Sequence, residues 1–392
     1  MGRSVKQFDL PNIVSRDVCN HSFTKEIDDE YAIVTPFEDY NAVATLNAKQ
    51  KNAYDMIVEC VLSNKPGIFF IDGPGGTGKT YLYRAILAKV RSEKKIALAT
   101  ASSGVASSIL PGGRTAHSRF KIPILANESA VCNISKQSSI AKLMRKASVI
   151  IWDEAPMAKR YAIEAVDRTL QDLLSTTEPF GGKVAVFGGD FRQVLPVVPR
   201  GTRAETIGVS LVESYLWKKM KKIQLKQNMR ARTDPSFADF LLRVGSGEEP
   251  VLVDNMIKLP DEMVIKSTNE EDLEKELINA VFPHLIENAH SAEYITNRAI
   301  LATKNDFVDK LNENLIEQFP SKPTTYFSFD KATDDTGTYY QEDFLNSLAP
   351  NGLPPHKLTL KVDFPIMLLR NLDPTNGCVM VPGSSVVEQR PM

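Results

Sequence analysis

Short apolar runs alternate with segments of helical periodicity along much of the chain. Helical patterns precede and follow the first run, and the earlier one begins beside Asn47, which suits an N-cap. Buried strands that alternate with helices predict a parallel sheet with helices on both faces, which is an α/β fold. The predicted strands occupy residues 67–72, 95–100, 148–152, 183–187 and 222–225.

The same pattern divides the chain into segments. The strand–helix alternation is preceded by polar residues of mixed charge and followed by an acidic stretch that prolines interrupt. Beyond that stretch, a further strand over 298–303 and an amphipathic helix predict the start of a second α/β unit. We predict a loosely structured leader, a first α/β domain, a linker, a partial second domain and a divergent tail, at residues 1–44, 45–247, 248–284, 285–377 and 378–392.

An octet between the first predicted strand and its helix carries the most specific chemistry. It fits the P-loop pattern, in which two glycines five apart precede a lysine and a hydroxyl residue. In such a strand–loop–helix the loop amides and the helix dipole face a phosphate chain, whereas a glycine-rich surface turn is the alternative. Lys79 would reach the β- and γ-phosphates, and the Thr80 hydroxyl would ligate Mg²⁺. The predicted nucleotide-binding residues of the loop are Gly73, Pro74, Gly75, Gly76, Thr77, Gly78, Lys79 and Thr80.

Two adjacent carboxylates, Asp153 and Glu154, follow the third predicted strand. By itself an Asp-Glu pair after a strand is more often a solvated turn. With a P-loop upstream, the pair suits the metal-binding and catalytic element of a nucleotide hydrolase. Asp153 would hold Mg²⁺, mostly through water, and Glu154 would act as a general base toward the attacking water.

Polar residues also follow the fourth and fifth predicted strands. Gln193 is placed to sense the γ-phosphate and orient water, although a glutamine that caps a turn is the alternative. Arg230 is placed to reach across to a γ-phosphate. It belongs to a stretch rich in lysine and arginine, residues 218–232, which suits either a solvated face or contact with a phosphate backbone.

Overall charge gives no sign of a nucleic-acid partner. Lys and Arg number 47 against 48 Asp and Glu, so any such binding requires local patches. One candidate is the small-residue segment 101–108, with Ser102 and Ser103, where a phosphodiester chain can approach the backbone closely. The segment 115–120, with His117, adds aromatic and basic groups that suit stacking with single-stranded bases, although a flexible loop is the alternative.

Cysteine spacing and apolar runs bear on where in the cell the protein is located. The four cysteines are far apart in sequence and form no CxxC pair, and no apolar run reaches the length of a membrane span. The first residues lack the apolar core of a signal peptide. We expect an intracellular monomer, and a nuclear location.

In the order and spacing of its motifs the chain resembles the PIF-one family of superfamily-one DNA helicases, and it is most similar to the Helitron-transposon-like branch. The resemblance extends over about residues 40–377. It implies a RecA-like fold for the first domain and a second, incomplete RecA-like domain after it. The motifs that carry it occupy residues 46–50, 73–80, 99–106, 115–118, 152–157, 188–196 and 228–230.

The resemblance also implies roles for particular residues. Gln50 would contact the adenine ring, Gln193 would couple the γ-phosphate to DNA, and Arg230 would act as an arginine finger. Ser103 and His117 would lie near the single-stranded track. The implied activity is ATP- and Mg²⁺-dependent 5′→3′ translocation on single-stranded DNA, in repair, recombination and telomere maintenance.

The sequence departs from the family after Gly377, where the family continues through most of its second motor domain. We therefore expect a truncated copy that keeps nucleotide binding but hydrolyses slowly and unwinds poorly, with strand edges at Pro365–Arg370 left unpaired. A nucleotide- and nucleic-acid-binding module without unwinding activity is the alternative. A P-loop kinase or GTPase is disfavoured, because no Asn-Lys-x-Asp element for guanine is present.

Overall fold

The chain divides into two units, Met1–Glu249 and Pro250–Met392. The computed structural model describes residues 25–254, 256–266, 272–329, 345–346, 356–366 and 384–385. Among these residues, no helix is both long enough and apolar enough to cross a membrane.

A six-stranded parallel sheet forms the centre of the first unit, with the strand order β3-β2-β4-β5-β1-β6. All five predicted strands are present, within one residue or two at each end, and the predicted α/β fold is confirmed. Strand β3 was not predicted, because two residues are too few to show a pattern of apolar and polar positions. The strands are β1 Gly67–Asp72, β2 Ile96–Ala101, β3 Arg114–Thr115, β4 Ala147–Asp153, β5 Val184–Gly189 and β6 Lys221–Gln224.

Helices cover both faces of this sheet. The longer ones include α3, α4, α7 and α8, and short 3₁₀ turns lie at 42–45, 155–157, 179–182, 211–213 and 217–219. Asn47 caps α3 as predicted, and its side chain accepts hydrogen bonds from the amides of Lys49 and Gln50. The helices are α1 Lys25–Tyr31, α2 Phe37–Asn41, α3 Ala48–Leu62, α4 Lys79–Ser92, α5 Gly104–Ser108, α6 Ala116–Phe120, α7 Ser139–Lys146, α8 Arg160–Leu174, α9 Arg203–Gly208 and α10 Pro235–Ser246.

Successive strand residues enter two different cores. Phe70, Ile150 and Phe187 pack with α7 and α8, whereas Ile71 and Ile151 pack on the opposite face with α3 and α4. Burial on both faces explains why the strands appear in the sequence as continuous apolar runs rather than alternating ones.

The predicted loose leader is wrong for residues 25–44, which contain α1 and α2. Glu30 of α1 forms an ion pair with Arg119 of α6, and both side chains are almost fully buried. Asp39 of α2 forms an ion pair with Arg84 of α4, with 2.8 Å between Oδ1 and Nε. These two charge pairs and single buried apolar residues, Ile27 and Ala42, hold the segment on the domain. Isolated apolar positions do not produce a helical periodicity in the sequence.

The second unit contains helices and two-stranded antiparallel ladders in its described residues. Part of the predicted linker is helical, and the strand predicted at 298–303 is wrong, because Leu301 there is 92% exposed and no described strand pairs with that segment. Its elements are α11 Leu273–Val281, α12 Leu285–Asn288, α13 Ala292–Thr296, α14 Asn305–Gln318, a 3₁₀ turn Asp261–Met263, β7 Pro323–Phe327, β8 Lys357–Lys361, β9 Pro365–Ile366 and β10 Ser384–Ser385.

In the predicted unpaired edge at Pro365–Arg370, the first two residues have a partner strand on one side, and their other side has none among the described residues. Strand β9 pairs antiparallel with β10, and β7 pairs with β8. Residues 367–370 of the predicted edge lie outside the described residues. The partial second RecA-like domain stays a prediction.

We predict that Glu30→Gln destabilises the first unit, because it leaves Arg119 charged and buried without its carboxylate. Removal of one partner of a buried pair costs about 3–5 kcal/mol. The midpoint of thermal unfolding should therefore fall by roughly 6–20 °C. The matched control is Glu38→Gln, whose carboxylate pairs with Arg84 but is 74% exposed. It should cost about 1 kcal/mol or less. Equal midpoints for the two variants would contradict the buried pair as the anchor of α1.

Candidate active site

The P-loop lies between β1 and α4 and adopts a conformation that requires glycine. Gly76 and Gly78 have φ values of +85° and +78°, in the left-handed region that side chains with a Cβ rarely adopt. A Cβ on Gly78 would also lie 2.4 Å from Nε2 of Gln50. The glycines at these two positions are therefore fixed by backbone geometry.

Gln50 contacts the P-loop directly. Its Nε2 donates to the carbonyl of Thr77 at 3.0 Å, and its Oε1 accepts from the amide of Asn47 at 2.9 Å. The residue is 2% exposed. The side-chain nitrogen of Gln50 is thus bonded to the P-loop, and its side-chain oxygen is bonded to the cap residue of α3. The predicted contact with adenine stays a prediction.

Lys79 is buried at the start of α4, with its ammonium group turned into the loop. Nζ donates to the carbonyl of Gly73 at 2.6 Å and of Pro74 at 3.3 Å. Burial raises the pKa of both Asp153 and Glu154, and the charge of Lys79 opposes that rise. The ammonium group of Lys79 is therefore bound by loop carbonyls, and the oxygens of a phosphate chain would be stronger acceptors for it.

The two carboxylates lie at the carboxyl end of β4, as predicted. Burial, and then the charge of Glu154, raise the pKa of Asp153 from 3.8 to about 6, although the amide of Glu154 donates to its Oδ1 at 2.9 Å. Burial and the neighbouring Asp190 raise the pKa of Glu154. Mg²⁺ prefers oxygen ligands and would stabilise the ionised form of Asp153, so Asp153 and the Thr80 hydroxyl fit such an ion chemically.

Gln193 follows β5 and lies over the P-loop. Its Nε2 donates to Oδ2 of Asp190 at 3.2 Å, and a Cβ on Gly75 would be 3.8 Å from that nitrogen. Arg192 also bonds to Asp190, at 3.0 Å. The buried Asp190 therefore orients two side chains at this edge of the sheet, a role that sequence analysis missed.

The segment after β6 also packs on the P-loop. The amide of Met229 donates to the carbonyl of Gly76 at 2.7 Å, and Nδ2 of Asn228 donates to that of Gly75 at 3.4 Å. A Cβ on Gly76 would lie 3.0 Å from Cβ of Arg230. The backbone of Arg230 is therefore beside the loop, and its side chain is exposed.

The predicted DNA-contact residues lie on the β2–α6 segment. In the small-residue segment 101–108, Ala101 ends β2 and Ser103 caps α5 by accepting from the amide of Ala106 at 3.1 Å. Ser102 accepts from Nε1 of Trp152 at 3.0 Å, which fixes it next to the carboxyl end of β4. His117 lies at the surface on α6, where partial desolvation lowers its pKa. Their contact with DNA stays a prediction.

A sequence profile described as PIF1-like helicase matches residues 45–255, more than half of the chain. The chain belongs to the PIF1-like helicase family. A second profile, for the 2B domain of the DNA helicase Pif1, matches residues 343–384 and extends into the segment predicted to be a divergent tail.

The chain is also similar in sequence to individual helicases of this family. The chain is 27% identical over 353 residues to an ATP-dependent DNA helicase PIF1 of Danio rerio, covering 89% of this chain and 48% of that protein. It is 24% identical over 305 residues to an ATP-dependent DNA helicase Pif1 of Psychrobacter sp. strain PRwf-1, covering 77% and 41%. The chain thus spans about half the length, or less, of these curated relatives.

Solved structures of PIF1-like helicases share the fold. A Pif1 helicase from Candida albicans superposes with a TM-score of 0.57 at 23% identity, covering 87% of this chain and 68% of that one. A second solved structure is described as the basis for DNA unwinding at forked double-stranded DNA by two coordinating Pif1 helicases. It superposes with a TM-score of 0.60 at 20% identity, covering 88% of this chain and 72% of that one. At these identities the likeness concerns the fold alone.

One further residue at the site of this PIF1-like helicase was missed by sequence analysis. Tyr83, four residues after Lys79 on α4, is fully buried, and its hydroxyl has no hydrogen-bond partner in the described part of the chain. Burial and the charges of Asp153 and Glu154 raise the pKa of the phenol. In the sequence Tyr83 is one apolar position of a helix, and nothing there indicates that its hydroxyl meets the site.

We predict that Asp153→Asn stabilises the protein in the absence of nucleotide. Because burial raises the pKa of this carboxyl from 3.8 to about 6, its ionised form destabilises the folded state above pH 6. The shift corresponds to about 3 kcal/mol, fully present above pH 7 and absent near pH 4. The unfolding midpoint of the variant should exceed that of the wild type at pH 8 and match it near pH 4. A midpoint below that of the wild type at pH 8 would contradict the burial of this charge.

Proposed function

We propose that this chain is the ATP-hydrolysing part of a DNA helicase that moves 5′→3′ on single-stranded DNA. The observation that carries the proposal is the meeting of Lys79, the Asp153–Glu154 pair and Gln193 at one edge of a parallel sheet. The relatives are named ATP-dependent DNA helicases, which supports the same activity here. A nuclear location, a monomeric state and roles in repair, recombination and telomere maintenance belong to the same proposal.

The residues divide the work of phosphoryl transfer. Lys79 and the loop amides would bind the phosphates, and Thr80 with Asp153 would hold Mg²⁺, which supplies charge neutralisation when bound. Glu154 would accept a proton from water as the water oxygen attacks the γ-phosphorus and the bridging P–O bond to ADP breaks. A carboxylate with a raised pKa is the stronger base for this step. Gln193 would orient the water, and the exposed Arg230 would swing toward the γ-phosphate.

The second candidate function is a nucleotide- and nucleic-acid-binding module without unwinding activity. A specific observation favours it: the described residues of the second unit form only two-stranded antiparallel ladders. Translocation requires a second lobe that closes on the nucleotide. Strand-displacement and phosphate-release assays on one preparation separate the two candidates, because the module would show neither activity.

Lys79→Ala tests the nucleotide site. We expect saturable binding of labelled ATP with Mg²⁺ to weaken at least about 10-fold and turnover to become undetectable, because the loop loses its cation. The matched control is Lys89→Ala on the same helix, where the lysine pairs with Glu93 at the surface. The control should bind and turn over like the wild type. Unchanged turnover in the purified Lys79→Ala protein would refute the P-loop assignment.

Single-stranded DNA should stimulate whatever turnover the wild-type chain shows. Binding of a labelled oligonucleotide should weaken steeply as salt rises, with the logarithm of the affinity linear in the logarithm of the salt concentration. Anisotropy at several salt concentrations measures the slope, and a duplex of the same sequence serves as the control. Affinity that does not change with salt would count against a phosphate-binding track.

A further inference from the structure

The segment that leads to Arg230 lies alongside the first half of the P-loop. The amide of Leu225 donates to the carbonyl of Asp72, the last residue of β1, at 2.8 Å. Farther along, the amide of Met229 donates to the carbonyl of Gly76 at 2.7 Å. The two segments therefore stay in contact from the end of β1 into the loop.

The side chain of Asn228 joins these two segments. Its Oδ1 accepts from the amides of Arg230 and Ala231 at 2.9 Å and 3.0 Å, which forms an Asx turn and fixes the backbone at the arginine. Its Nδ2 donates to the carbonyl of Gly75 at 3.4 Å. A Cβ on Gly76 would lie 2.5 Å from the same Oδ1, so the amide occupies space that a glycine leaves open. One amide group thus contacts the P-loop and sets the turn from which Arg230 projects.

Arg230 depends on its backbone for direction. Its side chain is exposed, and its guanidinium makes no hydrogen bond or ion pair within the described part of the chain. A side chain without a partner is directed mainly by where its Cα is held, and a displacement of about 1 Å at a catalytic group can lower a rate about 100-fold. The contacts of Asn228 therefore bear on where the guanidinium can reach.

We propose that Asn228 is a positioning residue for ATP hydrolysis, which keeps the backbone of Arg230 against the P-loop so that the guanidinium reaches the γ-phosphate of bound nucleotide. Asn228 would act through Arg230 and not on the phosphates. This inference rests on the proposed ATPase function and on the role of Arg230 in it. The alternative is that the asparagine only stabilises a surface turn, as asparagine commonly does.

Asn228→Ala tests the positioning role, because it removes the amide that joins the turn to the loop. Initial rates of phosphate release, with Mg²⁺ and single-stranded DNA present, give kcat and KM for ATP. We expect kcat to fall about 10-fold with KM changed less than about twofold, since an arginine finger acts on the transition state. Asn228→Ser should recover part of the loss, because a hydroxyl forms the same kind of turn more weakly. The control is Asn127→Ala, which should behave like the wild type, and whose Oδ1 accepts from the amide of Ser129 at 3.1 Å in a similar turn.

Combination with Arg230→Ala separates positioning from packing. Arg230→Ala should itself lower kcat by more than 10-fold, and single-turnover release of labelled phosphate makes such slow rates measurable. If Asn228 acts through the arginine, Asn228→Ala should have little further effect in the Arg230→Ala background. An equal fall in both backgrounds, or a fall with a raised KM and a lower unfolding midpoint, would overturn the inference and assign Asn228 to the stability of the turn.

The same measurements distinguish failure of this inference from failure of the proposed function. An Asn228→Ala protein with kcat within about twofold of an active wild type would overturn the inference and leave the proposed function standing. If the wild type shows no turnover, the proposed function fails and this inference fails with it.

Discussion

Parallel pairing of β1 with β5, and of β5 with β4, is the constraint on which the site depends. In parallel strands the carboxyl ends meet at one edge of the sheet. The P-loop after β1, the carboxylates after β4 and Gln193 after β5 therefore lie at the same edge. Pairing of β1 with β6 on its other side brings the segment of Asn228 and Arg230 to the same loop. Each strand end contributes one part of the chemistry.

Convergence carries an electrostatic cost that explains the character of the site. Burial raises the pKa of Asp153 and of Glu154, so these two carboxyl groups are harder to ionise than in water. Lys79 offsets part of this cost but is itself held by loop carbonyls. A bound divalent cation would stabilise the ionised carboxylates, and a bound phosphate chain would give Lys79 stronger acceptors than the loop carbonyls.

A second set of buried charges lies away from this edge and joins the N-terminal helices to the domain. Arg84 and Arg91 belong to α4, the helix that begins at Lys79, and Arg119 belongs to α6, next to His117. Glu30 of α1 forms an ion pair with Arg119, and Asp39 of α2 forms one with Arg84. The segment before the P-loop is therefore continuous, through ion pairs, with both the nucleotide helix and the candidate DNA-facing helix.

The sequence by itself determined the α/β class, the five longer strands, the cap of α3 and the residues of the loop and of the carboxylate pair, because these depend on local patterning and on motifs of fixed spacing. Only the tertiary structure decided that α1 and α2 are folded, that Asp190 orients Gln193, and that the Tyr83 hydroxyl meets Gly188. The strand predicted at 298–303 failed for a related reason, since a strand needs a neighbour with which to pair. Contacts between residues distant in sequence depend on how strands pair and helices pack, and no local pattern records them.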